Sequence, residues 1–127
     1  MILLTHESDH IIRVGKSYLG QPFDYTHFNC VHFVRKVYST IGIELPLLSR
    51  SMQPPNEFHL SRAELMAMPI GHTIFLKRRA SVSDRLWTHV AIIFSPSELI
   101  HCTRHFEGGV VITPATEFFE AYTLVTK

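Results

Sequence analysis

The fold is decided by residues 29–46, which read NCVHFVRKVYSTIGIELP. Apolar side chains recur in this stretch at helical spacing, which predicts a helix over Cys30–Ile41 with one apolar face. Asn29 is a residue type favoured at the N-cap, and Gly42 is the type favoured just after the last turn. The predicted helix therefore begins at a cysteine, which lies on the same face as the apolar residues.

The elements on either side of this helix predict an α+β fold. A first helix is predicted over His10–Leu19, a short one over 61–68 and another over 116–122. Strands are predicted over residues 73–77, 89–94, 99–103, 110–113 and 124–126. Because helices come first and strands follow, we expect N-terminal helices packed on a mostly antiparallel sheet. The length of 127 residues suits one domain over residues 1–127.

The composition is that of an ordinary globular domain. The chain is 46% hydrophobic and 18% charged, and 12 basic and 11 acidic residues give a net charge of +1. This balance predicts no nucleic-acid partner, and no apolar run approaches the ~18 residues of a membrane span. Residues 1–10 lack the basic start and long apolar centre of a secretory signal. The localisation therefore stays open among three alternatives: export by a route that needs no signal, association with a phage, or a chain that lacks its signal.

Cys30 is the first candidate for chemistry. Orphan N–H groups and the helix dipole at a helix N-terminus favour the thiolate, which is the reactive form of cysteine. The alternative interpretation is a buried and inert cysteine on an apolar face. Two cysteines, Cys30 and Cys102, cannot form a disulfide framework.

Two histidines on neighbouring predicted strands form the second part of the candidate site. His89 begins a strongly apolar strand, and His101 lies inside the next strand, where a buried imidazole needs a hydrogen-bond partner. A three-residue loop over 94–96 would place the two histidines directly opposite each other on one face. His101 would then hold His89 in the tautomer that accepts a proton from sulfur, and Cys102 would point into the core.

Nine histidines make a metal site the first alternative. His101, Cys102 and His105 could be proposed as ligands. Residues 101 and 105 of one strand lie roughly 13 Å apart, which is too far for one ion without a sharp bend. The sequence therefore predicts no metal site.

Six segments in chain order resemble the motifs of one known family. They are residues 18–25 (YLGQPFDY), 28–34 (FNCVHFV), 42–46 (GIELP), 61–65 with 71–75 (SRAEL and GHTIF), 88–92 (THVAI) and 99–102 (LIHC). Together they resemble the NlpC/P60 cysteine peptidases over most of the chain. The step from His89 to His101 is also similar to the step common in that family.

The resemblance implies a papain-like domain that hydrolyses amide bonds without a metal or organic cofactor. It implies Cys30 as the nucleophile, His89 as its base and His101 as the orienting third residue. The substrate would be a peptide or a peptidoglycan stem peptide, cut between D-glutamate and a diamino acid. If the protein is an effector, an immunity or inhibitor protein would be a further partner.

Departures from the family pattern cluster around the expected cleft. Asn29 replaces the usual Asp, and Phe23 stands where the family has a tyrosine near the oxyanion site. Tyr25 could take the place of that tyrosine. We therefore expect Tyr25, Asn29, Phe23 and Thr88 to contribute to oxyanion or substrate binding.

Two other functions stay open at this stage. The same chemistry could serve hydrolysis or acyl transfer on an amide or ester outside the cell wall. The altered residues around Cys30 also fit a binding module that has lost catalysis.

Overall fold

A computed structural model of the chain describes residues 3–43, 67, 69–78, 89–104, 108–117 and 122–126, and at 77–78 and 122–126 it describes the backbone. The elements in these ranges are α1 (Thr5–Ser17), α2 (Cys30–Ser39), β1 (Thr73–Arg78), β2 (His89–Ser95), β3 (Glu98–Thr103), β4 (Gly109–Pro114) and β5 (Tyr122–Thr126). The strands form one sheet in the order β4-β3-β2-β1-β5, and their pairings are antiparallel. The predicted α+β arrangement is confirmed.

The first helix begins five residues earlier than the apolar pattern predicted. Helix α1 begins at Thr5 and ends at Ser17, instead of running over His10–Leu19. The Leu4 N–H donates to the Glu7 carboxylate at 2.9 Å, which satisfies a donor at the start of the helix. Leucine is not a preferred N-cap residue, so the residues before Thr5 give no local signal for this start.

The helix predicted over 116–122 is confirmed at residues 116–117 and wrong at Tyr122. Residues 115–117 form one helical turn, and Tyr122 already belongs to β5. Residues 118–121 lie outside the described ranges. Of the helix predicted over 61–68, only Ala67 is described, and it is helical.

Helix α2 has the N-terminus that the sequence predicted. The side-chain oxygen of Asn29 accepts from the N–H groups of Val31 and His32 at 3.0 and 3.1 Å. The Asn29 N–H in turn donates to Nδ1 of His32 at 3.1 Å. These reciprocal contacts are a capping box, in which a histidine takes the place usually held by Glu or Gln.

The helices cover one face of the sheet. The core on this side combines helix residues with sheet residues: Ile11, Phe33, Val34, Val37 and Tyr38 from the helices, and Phe75, Val90, Ile92, Ile100, Cys102 and Val110 from the strands. Because successive strand side chains point to opposite faces, the neighbours of these strand residues point to the other face. Buried residues on that second face are Ile74, Leu76, Ala91, Ile93 and Leu99, together with the polar His89, His101, Thr103 and Thr113.

The start of β4 lies against the segment that leads to α2. The Val110 N–H donates to the Gln21 carbonyl at 3.0 Å, and the Gly20 N–H donates to the Val110 carbonyl at 3.1 Å. Gly109 has a φ of +100°, and a Cβ there would collide with the Gln21 carbonyl oxygen. A glycine is therefore required for this close approach.

Candidate active site

The two predicted histidines form a buried pair. His89 Nε2 and His101 Nδ1 are 2.8 Å apart, a hydrogen-bonding distance, and the rings are nearly perpendicular at 79°. His89 is 7% exposed and His101 is 1% exposed. Only one proton can occupy the bond between the two nitrogens, so the protonation state of each ring constrains the other.

The pair is diagonal rather than directly opposite, so the predicted register is wrong. Ile93 pairs with Leu99, not with Ser97, and Ser95 pairs with Glu98. The turn between β2 and β3 therefore contains two residues, and the register shift between Ile93 and Ser95 adds one extra residue on β2. A two-residue turn alone would have turned His89 and His101 to opposite faces of the sheet. The extra residue on β2 brings them back to the same face.

Continuing the Ile93–Leu99 register along the strands puts His89 opposite Thr103, two residues from His101. Residues two apart on a strand share a face, so the prediction that both histidines point the same way holds. A diagonal neighbour is within reach of long side chains.

A buried threonine lies on the far side of His101. The Thr113 hydroxyl oxygen is 2.9 Å from His101 Nε2, and Thr113 is 3% exposed. Three side chains from adjacent strands β2, β3 and β4 thus form a continuous polar chain on a largely apolar sheet face. Sequence reasoning missed Thr113 because a threonine in a strand is ordinary β composition. Only the β3–β4 register, which pairs Leu99 with Thr113, reveals the contact.

Burial keeps His101 neutral. Desolvation, and secondly the charge of His89, hold the pKa of His101 well below its ordinary value. A ring that resists protonation can accept a hydrogen bond from its neighbour without competing for the proton. His101 is therefore suited to orient His89 rather than to take a proton itself.

Cys30 is the first residue of α2 and belongs to the core between the helices and the sheet, with 1% exposure. The Cys102 thiol contacts the Phe28 carbonyl oxygen at 3.5 Å, which places the segment just before Cys30 against β3. Because Cys102 follows His101 in the chain, this contact brings the start of α2 to the part of the sheet that carries the histidine pair.

Cys102 itself has the core environment that the sequence predicted. It is fully buried, and desolvation, with a smaller contribution from Cys30, raises the pKa of its thiol to about 12. A thiol with such a pKa stays protonated at neutral pH and is not reactive.

A tight loop over residues 24–28 precedes α2. Asp24 and Phe28 exchange two backbone hydrogen bonds of 2.9 Å. The Asp24 carboxylate accepts from the N–H groups of His27 and Thr26, and these bonds lower the Asp24 pKa. The Asn29 side-chain amide donates to the Tyr25 carbonyl at 3.1 Å. The loop is therefore fastened to the cap of α2.

The remaining residues expected to bind substrate have different surroundings. Tyr25 is 65% exposed on this loop, where a ligand could reach its hydroxyl. Phe23 packs against the hydrophobic core, and Asn29 is occupied in capping. Thr88 lies outside the described residues.

The described ranges contain no group of three or more His, Cys, Asp or Glu side chains that could hold a metal ion. None of the helices in those ranges is long and apolar enough to cross a membrane.

Comparison with known proteins identifies the fold. No protein-family model matches the sequence, and no curated protein matches it at a significant level. Solved structures do match. An NlpC/P60 family protein from Bacillus cereus superposes on 94% of the chain with a TM-score of 0.71 and 24% identity. A Staphylococcus aureus protein described as similar to lipoprotein, NLP/P60 family, superposes on 100% with a TM-score of 0.72 and 17% identity.

NlpC2 from Trichomonas vaginalis also superposes on 100% of the chain, with a TM-score of 0.74 and 13% identity. The chain spans 39%, 44% and 49% of the lengths of these three proteins. At these identities the likeness concerns the fold alone. The chain has an NlpC/P60-like α+β fold.

Proposed function

We propose that the protein is a cysteine-dependent amide hydrolase that acts through Cys30, His89 and His101. The observation that carries this proposal is the buried hydrogen bond between His89 Nε2 and His101 Nδ1, in a fold where α2 begins at a cysteine. The bond leaves Nδ1 of His89 as the nitrogen that can exchange a proton with a thiol.

The environment of Cys30 supports its role as nucleophile. The first N–H groups of α2 and the helix dipole favour a negative charge at this position. The Asn29 cap holds the first turn of α2 in place and adds no negative charge beside the thiol. An aspartate at this position, as in the family motif, would place a carboxylate there.

The role of His89 as base depends on its place at the start of β2. Cys30 packs on the helix-covered face, together with Val90 and Cys102, whereas alternation turns His89 and His101 to the other face. His89 is the first residue of β2, so its ring stands at an end of the strand rather than in its middle. The proposal requires the Cys30 thiol to meet the imidazole around this strand end.

The proposed reaction has two stages. The Cys30 thiolate attacks the amide carbonyl, and the His89 imidazolium protonates the leaving amine to give a thioester. Water then attacks the thioester while His89 takes its proton. The C–S bond breaks, the carboxylic acid product is released, and the Cys30 thiolate and His89 imidazolium are regenerated. The backbone N–H of Cys30 at the start of α2 would donate to the oxyanion.

We propose a peptidoglycan stem peptide as the substrate, cut between D-glutamate and the diamino acid. The sequence motifs that resemble NlpC/P60 peptidases and the NlpC/P60-like fold support this choice. The exposed Tyr25, beside the start of α2, is a candidate contact for the peptide.

The test is digestion of purified peptidoglycan and synthetic stem peptides, read by mass spectrometry. Wild type should produce a new amino terminus on the diamino acid, and Cys30→Ala should produce none. Cys102→Ala is the matched control, since it removes the other buried thiol and should retain cleavage. Cleavage by Cys30→Ala at the wild-type rate would disprove the proposed nucleophile.

One observation favours a second candidate, a binding module without catalysis. The Cys30 side chain is 1% exposed, as is common for a structural cysteine. In that case stem peptides would bind equally to wild type and Cys30→Ala without being cut, which equilibrium binding measurements would show.

A further inference from the structure

We propose that Thr113 is a positioning residue, whose hydroxyl accepts a hydrogen bond from His101 and thereby fixes the tautomers of both histidines. The inference rests on the proposed function, because it concerns the proton chemistry of His89. Its structural basis is the contact of 2.9 Å between Thr113 Oγ1 and His101 Nε2, between two buried side chains.

Proton accounting gives two arrangements for the neutral pair. In the first, His89 donates from Nε2 to His101 Nδ1, His101 donates from Nε2 to Thr113, and His89 Nδ1 carries a lone pair instead of a proton. In the second, the Thr113 hydroxyl donates to His101 Nε2, His101 donates from Nδ1 to His89, and His89 carries its proton on Nδ1. Only the first arrangement makes His89 a base toward a thiol.

The charged state of His89 removes this choice. When His89 has taken the thiol proton, both of its ring nitrogens carry hydrogen, so His101 Nδ1 must accept. Because His101 stays neutral, its proton must then sit on Nε2 and point at Thr113 Oγ1. The threonine hydroxyl is therefore an acceptor whenever the thiolate–imidazolium pair exists, and it stabilises that pair through His101.

Among the described residues, few other ionisable groups lie on the elements that neighbour the His89–His101 pair. Leu76 of β1 pairs with His89, and Val111 of β4 pairs with His101. On β3, Cys102 points to the helix-covered face, and Glu98 lies at the opposite end of the strand, 3.0 Å from the Ser95 hydroxyl.

Arg104, just beyond β3, is exposed to solvent. Cys30 and His32 belong to the first turn of α2, where His32 Nδ1 accepts from the Asn29 N–H. The titration that Thr113 influences is thus that of Cys30 coupled to the histidine pair.

The experiment compares Thr113→Val, which removes the hydroxyl at nearly constant shape, with Thr113→Ser, which retains it. The probe is iodoacetamide, and mass spectrometry of peptides separates labelling of Cys30 from that of Cys102. Thr113→Val should shift the pH profile of Cys30 labelling upward by about one unit, which is about a tenfold slower rate at fixed pH. Thr113→Ser should restore most of the wild-type profile.

Thr40→Val is the matched control. It removes another threonine–histidine contact, the 3.0 Å contact between Thr40 Oγ1 and His10 Nε2, at the opposite end of α2 from Cys30. It should leave the Cys30 profile in place. A Thr113→Val profile identical to wild type, at equal folded fraction, would overturn the proposal.

A second readout separates this inference from the proposed function. Nitrogen-15 chemical shifts of the His101 ring report its tautomer, and they can be measured in a Cys30→Ala background. We expect hydrogen on Nε2 with Thr113 present and a changed tautomer population in Thr113→Val. An unchanged tautomer would overturn the role of Thr113 even if the enzyme is active, whereas an inactive wild type with the expected tautomer shift would count against the proposed function alone.

Discussion

The start of α2 and the end region of β3 each hold a buried cysteine, and the proposed function gives the two thiols different roles. Cys30 is 1% exposed and follows the Asn29 cap at the start of α2. Cys102 is 0% exposed inside a strand, where desolvation raises the pKa of its thiol, and this thiol donates to the Phe28 carbonyl oxygen. The two side chains are almost equally buried, so the proposed function assigns their difference in reactivity to the helix N-terminus, which Cys30 has and Cys102 lacks.

The largest expected effect comes from exchanging the two cysteines for alanine in turn. Cys30→Ala should lower kcat/KM for a stem peptide by more than about 1,000-fold, because no other group can form the thioester. Cys102→Ala should keep most activity and lose some stability, since it removes a buried sulfur. If both variants lost activity to a similar extent at equal folded fraction, the different roles assigned to Cys30 and Cys102 would be wrong.

The histidine pair gives the next largest effect. His89→Ala should reduce kcat by about 100- to 10,000-fold, the usual range for a general acid–base group. His101→Ala should reduce it less, because an orienting residue can be partly replaced. Steady-state kinetics measures both, and a larger loss in His101→Ala than in His89→Ala would reverse the assigned roles.

His101 should also make folding sensitive to acid. Its folded pKa is lowered by burial, so below about pH 6.5 the unfolded chain binds more protons than the folded one. Stability should therefore fall as pH falls, by up to about 1.4 kcal/mol per pH unit for this one group. His32 and His72, with pKa values also lowered mainly by burial, act in the same direction.

His101→Gln should reduce the slope of the free energy of unfolding against pH. The expected reduction corresponds to at most one bound proton. The residual slope comes from other groups such as His32 and His72. If the variant retained the full wild-type slope, His101 would not be the buried neutral group described above.

The smallest expected effect concerns the cap of α2. Asn29→Ala should cost about 1 kcal/mol of stability, because Val31 and His32 lose their shared acceptor. It should also slow alkylation of Cys30 while leaving Cys102 unreactive. Asn29→Ser retains a capping oxygen and serves as the control, with denaturant unfolding as the measurement.

Local signals made part of this fold predictable. Asn29 before an apolar helical pattern indicated the start of α2, and the β-rich runs indicated the strands. The shared face of His89 and His101 followed from the two-residue period of strands. Their exact register did not, because the extra residue between Ile93 and Ser95 has no glycine to mark it.

Contacts that depend on long-range pairing could not be predicted. Thr113 meets His101 only because β4 pairs with β3 in one particular register, and nothing near Thr113 in the sequence indicates a polar partner. The Cys102–Phe28 contact likewise joins residues 74 positions apart. Tertiary pairing decides such contacts, so composition and periodicity do not reveal them.

Labelling of the native protein with iodoacetamide at about pH 6.5 tests the central claim most directly, since an ordinary thiol has a pKa of roughly 8.5. Peptide mass spectrometry reads the two cysteines in one sample, with a denatured sample as the control. An activated Cys30 should be labelled in the native state while Cys102, with its pKa raised to about 12, is labelled only after unfolding. Labelling of both cysteines only after unfolding would contradict the assignment of Cys30 as the nucleophile.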